Sequence, residues 1–252
     1  MTFSIVARTA DASHFGVAIS SSSPAVAARC AHARAGVGAV ATQNITDPSL
    51  GPRILDLLAR GGDAGAGQPA AGVLGAGQPA AVLPGAGLPG PAQVALAAAL
   101  RGTPHGAYRQ LLVLGRSGAP AIHSGEHALG LVATAVGADA AAAGNLLADA
   151  AVPAAMVGAF ETACGPFGAR LLEALRAGRE RGGEAGPVHS AGLLIVRDVA
   201  WPIVDLRVDW DDADPVGALG KLWERYAPQI EDYVRRAVDP GAAPAFGVPG
   251  DL

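Results

Sequence analysis

The chain has 252 residues, half of them apolar and only 4% aromatic, with a net charge of −4. A chain of this length buries about 75% of the surface its unfolded form exposes, enough for one large domain. The absence of a Lys/Arg cluster argues against a nucleic-acid partner, and the absence of an unbroken apolar run of ~18 residues argues against a membrane span. The densest basic stretch, Arg176, Arg179 and Arg181, is interleaved with Glu173, Glu180 and Glu184 and reads as a solvated helix face.

In chain order, residues 2–8 (TFSIVAR) alternate, with Phe3, Ile5 and Ala7 on one face, which predicts a strand. A turn around Asp11 and a second alternating run at 14–21 complete a hairpin. Residues 36–43 (GVGAVATQ) predict a third strand. Pro48-Ser49 opens a helix carrying Leu50, Ile54, Leu57 and Leu58, which Gly61 should end. GAGQPAA at 65–71 recurs at 75–81, and GAGLPGP follows at 85–91. Gly and Pro at this density do not hold a helix, so 65–91 reads as a low-complexity insertion without chemistry.

A short helix follows at 93–101, then strands at 108–114 and 119–123 around the Gly115–Gly118 turn. Residues 130–148 predict one strand ending near GNLLA. Helices at 153–163 and 167–181 precede strands at 189–197 and 203–209. A last helix starts at Asp214-Pro215, and Pro228 interrupts it. Hairpins alternate with helix pairs, so antiparallel sheets covered by helices fit better than a parallel βαβ sheet. The expected organisation is a single domain over 1–238 and a flexible C-terminal tail over 239–252. Cys30 and Cys164 sit among small apolar residues and read as two buried free thiols. The N-terminus lacks a basic segment followed by an apolar one, so a cytoplasmic location is expected.

Thr2 directly follows Met1. Removal of Met1 would leave Thr2 with a free α-amine beside its own hydroxyl. An α-amine titrates near 7.7–8.0, so about a tenth or more is neutral at pH 7 and able to take the hydroxyl proton. On position alone, an ordinary strand start accounts for Met-Thr as well. Two other constellations compete. HSGEH at 123–127 has the His-x-x-Glu-His spacing of one zinc-protease class, with His123, Glu126 and His127 as ligands and base. Its Pro120, Gly118 and Gly125 surroundings predict strand and turn, where the two His need not converge. Cys30 with His32 two residues on is a third candidate, in a segment (AVAARCAHARAG) that reads as packing.

Five blocks occur in a fixed order: MTFSIVAR, GVAISSSSPAVA, ARAGVGAVATQNITDPSLGPRILDLL, GNLL, and HSAGLLIVR with VDLRVDWDDADPV. In this order they resemble a bacterial and archaeal family of unknown function assigned to the N-terminal-nucleophile (Ntn) hydrolases. The resemblance runs from residue 2 to about 225, broken at 65–91. It implies an α+β fold, a four-layer α-β-β-α sandwich of two mainly antiparallel sheets, with the nucleophile at the tip of the first strand.

The resemblance also places Thr2 as nucleophile and covers Ser20, Ser21, Gln43, Asn44 and Asn145. Asn145, Gln43 or Asn44 would suit a donor to the oxyanion, a role typically worth about 10²–10³ in rate. Ser20 and Ser21 would bind substrate or the α-ammonium. Asp205 and Arg207 alternate onto one strand face and read as a structural ion pair. The expected function is an amidohydrolase cleaving a C–N bond in a small cytosolic metabolite, needing no metal or organic cofactor. Its partner would be a small-molecule substrate, and the Ala/Gly-rich composition allows a homodimer. The alternatives are a non-catalytic small-molecule-binding protein on the same fold, or a metal-dependent hydrolase built on His123, Glu126 and His127.

Overall fold

The computed structural model describes residues 1–63 and 88–247. The repeats at 65–87 lie outside the described residues. Of the predicted insertion, 88–90 lead into a helix and Pro91 is its first residue.

Two antiparallel sheets are stacked. The first holds six strands in the order β10 (Val204–Val208), β9 (Ser190–Val196), β2 (Phe15–Ser21), β1 (Thr2–Arg8), β8 (Ala140–Asn145), β7 (Ala133–Val136). The second holds four: β3 (Ala31–Arg34), β4 (Gly38–Asn44), β5 (Arg109–Gly115), β6 (Ala121–Ser124). Strand alternation assigns side chains to layers. Phe3, Ile5 and Ala7 of β1 face outward and pack on α4 (Val152–Thr162) and α5 (Phe167–Glu180). α6 (Pro215–Tyr226) closes the same layer through Val216 and Leu219. Val40, Leu111 and Val113 face outward from the second sheet onto α2 (Leu50–Asp63) and α3 (Pro91–Leu100). Between the sheets lie Val6, Phe15, Val17, Ala39, Ala41, Leu112 and Leu114. The result is the α-β-β-α sandwich.

Most predicted elements are present, and the differences have local causes. Residues 130–148 hold two strands, β7 and β8, not one; Gly137 closes the turn between them, its N–H donating to Ala140 O at 2.8 Å. The alanine run of β8 is intrinsically helix-forming, yet it is fully buried between β1 and β7, and pairing overrides propensity. The segment read as packing around Cys30 is a five-residue helix, α1 (Val26–Cys30), running straight into edge strand β3. α2 continues through Gly61 to Asp63. Pro228 does interrupt the last helix: a 3₁₀ turn at Ala227–Gln229 separates α6 from α7 (Ile230–Val238). Cys164 is exposed, not buried, because its small neighbours form the α4–α5 turn, with Gly165 at φ +99°. Asp205 and Arg207 form an exposed ion pair at 2.7 Å. No helix among the described residues is long and apolar enough to cross a membrane.

Candidate active site

β1 is central, flanked by β2 and β8, so Thr2 begins an interior strand and is 4% exposed. The alternation that sends Phe3 outward sends Thr2, Ser4 and Val6 into the inter-sheet layer. Register pairs Thr2 with Asn145 and Phe3 with Ser20, which brings Ser21 alongside Thr2 on the other flank. Thr2 Oγ1 and Ser21 Oγ lie 3.3 Å apart, and both donate to the carbonyl oxygen of Met1. Ser21 is held by its own turn: its Oγ accepts from Ser23 N at 3.1 Å.

Beneath Thr2 the layer turns polar. Ser4 Oγ donates to Gln43 Oε1 at 2.6 Å, and Gln43 Nε2 donates to Gln110 Oε1 at 2.7 Å and Ala143 O at 3.2 Å. Gln110 Nε2 donates to Ser124 Oγ at 2.9 Å and Gly144 O at 3.2 Å. Those two acceptors fix the Gln110 amide so that its oxygen faces Asn145, whose Nδ2 donates to it at 3.1 Å. Asn145 therefore turns its nitrogen into the scaffold and leaves Oδ1 buried without a hydrogen-bond partner among the described residues. An acceptor in that position suits an amine or ammonium, not an oxyanion.

The sequence-derived residues divide accordingly. Thr2, Ser21 and Asn145 converge. Ser20 is on the opposite face of β2 and donates to Ser190 O at 3.0 Å. Gln43 has its oxygen and both amide hydrogens engaged within the protein. Asn44, at φ +69°, donates to Tyr108 O at 2.6 Å and accepts from Leu129 N at 3.1 Å, pinning two loops. His123 lies on β6 with Nε2 2.9 Å from Gly106 O, whereas His127 packs against the Tyr108 ring. No group of three or more His, Cys, Asp or Glu converges for a metal among the described residues. Cys30 is buried with Ile19, Val26 and Ala27, and burial pushes its thiol pKa up, away from a reactive thiolate. His32 packs against Gly51, with Nε2 3.3 Å from Arg29 O.

Two surface cavities lie toward the opposite end of β1. One is lined by Gly36, Leu58, Pro91 and Arg116, the other by Asp11, Ser13, Arg116 and Arg197. In the second, Ser13 Oγ donates to Asp11 Oδ1 at 2.8 Å and lies 2.8 Å from His14 Nδ1, but these groups belong to the exposed β1–β2 turn, at the far end of the strand from Thr2.

One residue at the site was misread from sequence. Glu184 is not on the solvated face of α5, which ends at Glu180. The turn through Gly182 (φ +113°) and Gly183 (φ +56°) folds it inward to bridge Leu147, and it is 4% exposed. Its carboxylate accepts from the Ser22 N–H at 3.1 and 3.3 Å. Burial raises its pKa to about 7, against the opposing pull of the Met1 α-ammonium and the Ser22 N–H. The only sequence signal was the Gly182-Gly183 pair, which ends a helix and frees the next residue to turn. Ser4, Gln110 and Ser124 were also missed, since isolated polar residues in strands look like ordinary alternation.

The model of a family of unknown function, DUF1028, matches residues 2–70 and 87–219, and the chain belongs to that family. The unmatched residues 71–86 fall in the repeat segment. No curated protein matches the chain. Among solved structures, the chain is similar to the crystal structure of protein SPO2555 from Silicibacter pomeroyi, described with the same family model. The two are 25% identical, with a TM-score of 0.75 over 93% of this chain and 90% of that one.

Proposed function

We propose that this DUF1028 member is an Ntn-type amidohydrolase in which Thr2, freed by removal of Met1, attacks the carbonyl of a small amide. The observation that carries the reading is the convergence of Thr2 Oγ1 and Ser21 Oγ on one carbonyl oxygen at a buried strand tip. A hydroxyl nucleophile and a second hydroxyl aimed at the carbonyl oxygen are what acyl transfer needs. The free α-amine takes the Thr2 proton and returns it to the leaving nitrogen as the C–N bond breaks. Water, activated by the same amine, then cleaves the ester and releases the acid. Ser21 Oγ donates to the developing oxyanion. Asn145 Oδ1 accepts from the α-amine across the β1–β8 pair and orients its lone pair. Gln43, Gln110 and Ser4 hold Asn145 in place, and Asn44 fixes the loops around the site.

The test begins with the intact mass of the untagged protein. A mass one methionine lighter is expected. An amide library then separates this reading from a ligand-binding protein on the same fold: turnover lost on Thr2→Ala supports hydrolysis. Ligand binding without turnover, unchanged by Thr2→Ala, or full retention of Met1, overturns the Thr2 mechanism.

A further inference from the structure

Met1 occupies the ground in front of Thr2 in the manner of an acyl group. Its carbonyl oxygen takes both hydroxyl hydrogen bonds. Its side chain lies toward Gly186: a Cβ added there would sit 3.7 Å from Met1 Cε and 3.9 Å from Sδ. Residues 184–186 therefore wall the space that departure of Met1 would vacate. Glu184 begins that wall, and its hydrogen-bond donor Ser22 follows Ser21 directly.

The positive charge that acts on buried Glu184 in the full chain is the Met1 α-ammonium, the group that would depart with Met1. Its carboxylate is hydrogen-bonded by Ser22, and none of the ion pairs among the described residues includes it. Buried carboxylates are ordinarily paired. A purely structural acceptor for one backbone N–H needs no charge, and an amide would serve. A ligand cation would complete the site.

We propose that the space beside Thr2 is an acyl subsite, and that Glu184 selects acyl groups bearing an α-ammonium, so that the substrates are aminoacyl amides. This rests on the amidohydrolase reading and adds the substrate class to it. Thr2 Oγ forms an ester with the aminoacyl carbonyl carbon as the C–N bond breaks, and the proton passes through the α-amine to the leaving amine. Water then splits the ester, so one amide and one water give one amino acid and one amine.

Methioninamide reproduces the Met1 acyl group, and 4-(methylthio)butanamide is the same molecule without the ammonium. Both are titrated by calorimetry into the full chain beginning at residue 2, released from a cleavable N-terminal fusion and carrying Thr2→Ala so that neither amide turns over. Methioninamide is expected to bind at least about tenfold more tightly, the factor that 1.4 kcal/mol corresponds to. Glu184→Gln, which still accepts from Ser22 N–H, is expected to reduce that preference to within about twofold. Gly186→Val narrows the same wall from an independent position and is expected to weaken both amides while keeping their ratio. Equal binding of the two amides, a preference that survives Glu184→Gln, or no binding of either overturns the subsite.

Hydrolysis of methionine p-nitroanilide by the Thr2 protein separates the two readings. An ammonium preference without Thr2-dependent turnover leaves the subsite standing and sinks the nucleophile. Thr2-dependent turnover that is indifferent to the ammonium does the reverse.

Discussion

The two ends of β1 each bury a charged group, and they treat it differently. At the far end, Arg8 is 9% exposed and each guanidinium nitrogen has an acceptor: Nε donates to Asp139 at 2.8 Å, Nη1 to Gly115 O at 2.7 Å and Nη2 to Gly118 O at 3.0 Å. Those contacts tie the two sheets together around an apolar filling of Val6, Val17, Leu112 and Leu114. At the near end, Glu184 is hydrogen-bonded by Ser22 and joins no ion pair among the described residues, Asn145 Oδ1 has no hydrogen-bond partner among them, and the filling between the sheets is a polar chain of Ser4, Gln43 and Gln110. A buried charge whose partners are complete belongs to the architecture. A buried carboxylate outside any ion pair and a buried acceptor left open, both beside the proposed nucleophile, fit a ligand site better than architecture.

The largest expected effects separate the ends most sharply. Thr2→Ala is expected to lower turnover by at least about 10³-fold, as loss of a nucleophile does. It should leave the urea unfolding midpoint nearly unchanged, since Thr2 Oγ1 reaches only the adjacent Met1 carbonyl and, at 3.3 Å, Ser21 Oγ of β2. Arg8→Met should do the opposite. It strands a partly exposed Asp139 and two carbonyls, a loss that typically costs about 1–3 kcal/mol. Urea unfolding reads that cost, and turnover per folded molecule should stay within about threefold. A large activity loss from Arg8→Met in still-folded protein would break the division between ends.

The same division explains what was legible in the sequence. The apolar end was readable because alternation of Phe3, Ile5 and Ala7 against Val6 is a periodic signal, and it gave the hairpin and the sheet faces. Position and resemblance pointed to Thr2, which the fold places at the buried tip of a central strand. Register could not be read, so Ser20 and Ser21 looked equivalent although adjacent strand residues face opposite layers. Gln43 looked like a free amide because its partners, Ser4, Gln110 and Ala143, come from three separate strands. Glu184 looked like one more charge on a helix because the turn that inverts it lies in two glycines whose φ values the sequence does not print. Asn145 does lie beside Thr2, but the direction of its amide depends on Gln110 of β5, in the other sheet.

A smaller effect sharpens the contrast through pH. The Glu184 carboxyl titrates at about 7 in the fold, chiefly because it is buried, against about 4.3 in an unfolded chain. A raised acid favours the fold in its neutral form. Its contribution is complete below about pH 4.3 and is lost as pH rises through 7, a swing of about 3 to 4 kcal/mol at one pKa unit per 1.36 kcal/mol. Glu184→Gln removes that swing. Urea midpoints at pH 4.5, 6 and 8 should therefore show the variant gaining on the parent as pH rises, and saturating methioninamide should close the gap at pH 8. A difference independent of pH would mean that Glu184 is already paired.

The smallest expected effect compares two strained alanines, one at each end. Ala12 has φ +54° in the β1–β2 turn, and Ala25 has φ +51° just before α1. Both hold a left-handed conformation that costs a residue with a Cβ about 1–2 kcal/mol. Glycine removes that cost but adds chain entropy to the unfolded state, so either Ala→Gly change should stabilise by only about 0.5–1 kcal/mol. Their functional consequences should differ. The Ala12 turn is closed by its own bonds, with Asp11 accepting from Thr9 Oγ1 at 2.5 Å and Ser13 Oγ at 2.8 Å, and it touches nothing at Thr2. Ala25 ends the Ser21–Ser23 turn and is held by a single backbone bond to Asp209 O at 2.9 Å. Relaxing it frees the turn that aims Ser21 Oγ, so Ala25→Gly should lower kcat/KM by about threefold while Ala12→Gly leaves it unchanged. Strain kept where the turn carrying the proposed oxyanion donor must be held, and merely tolerated where a hairpin reverses, is what the two measurements together resolve.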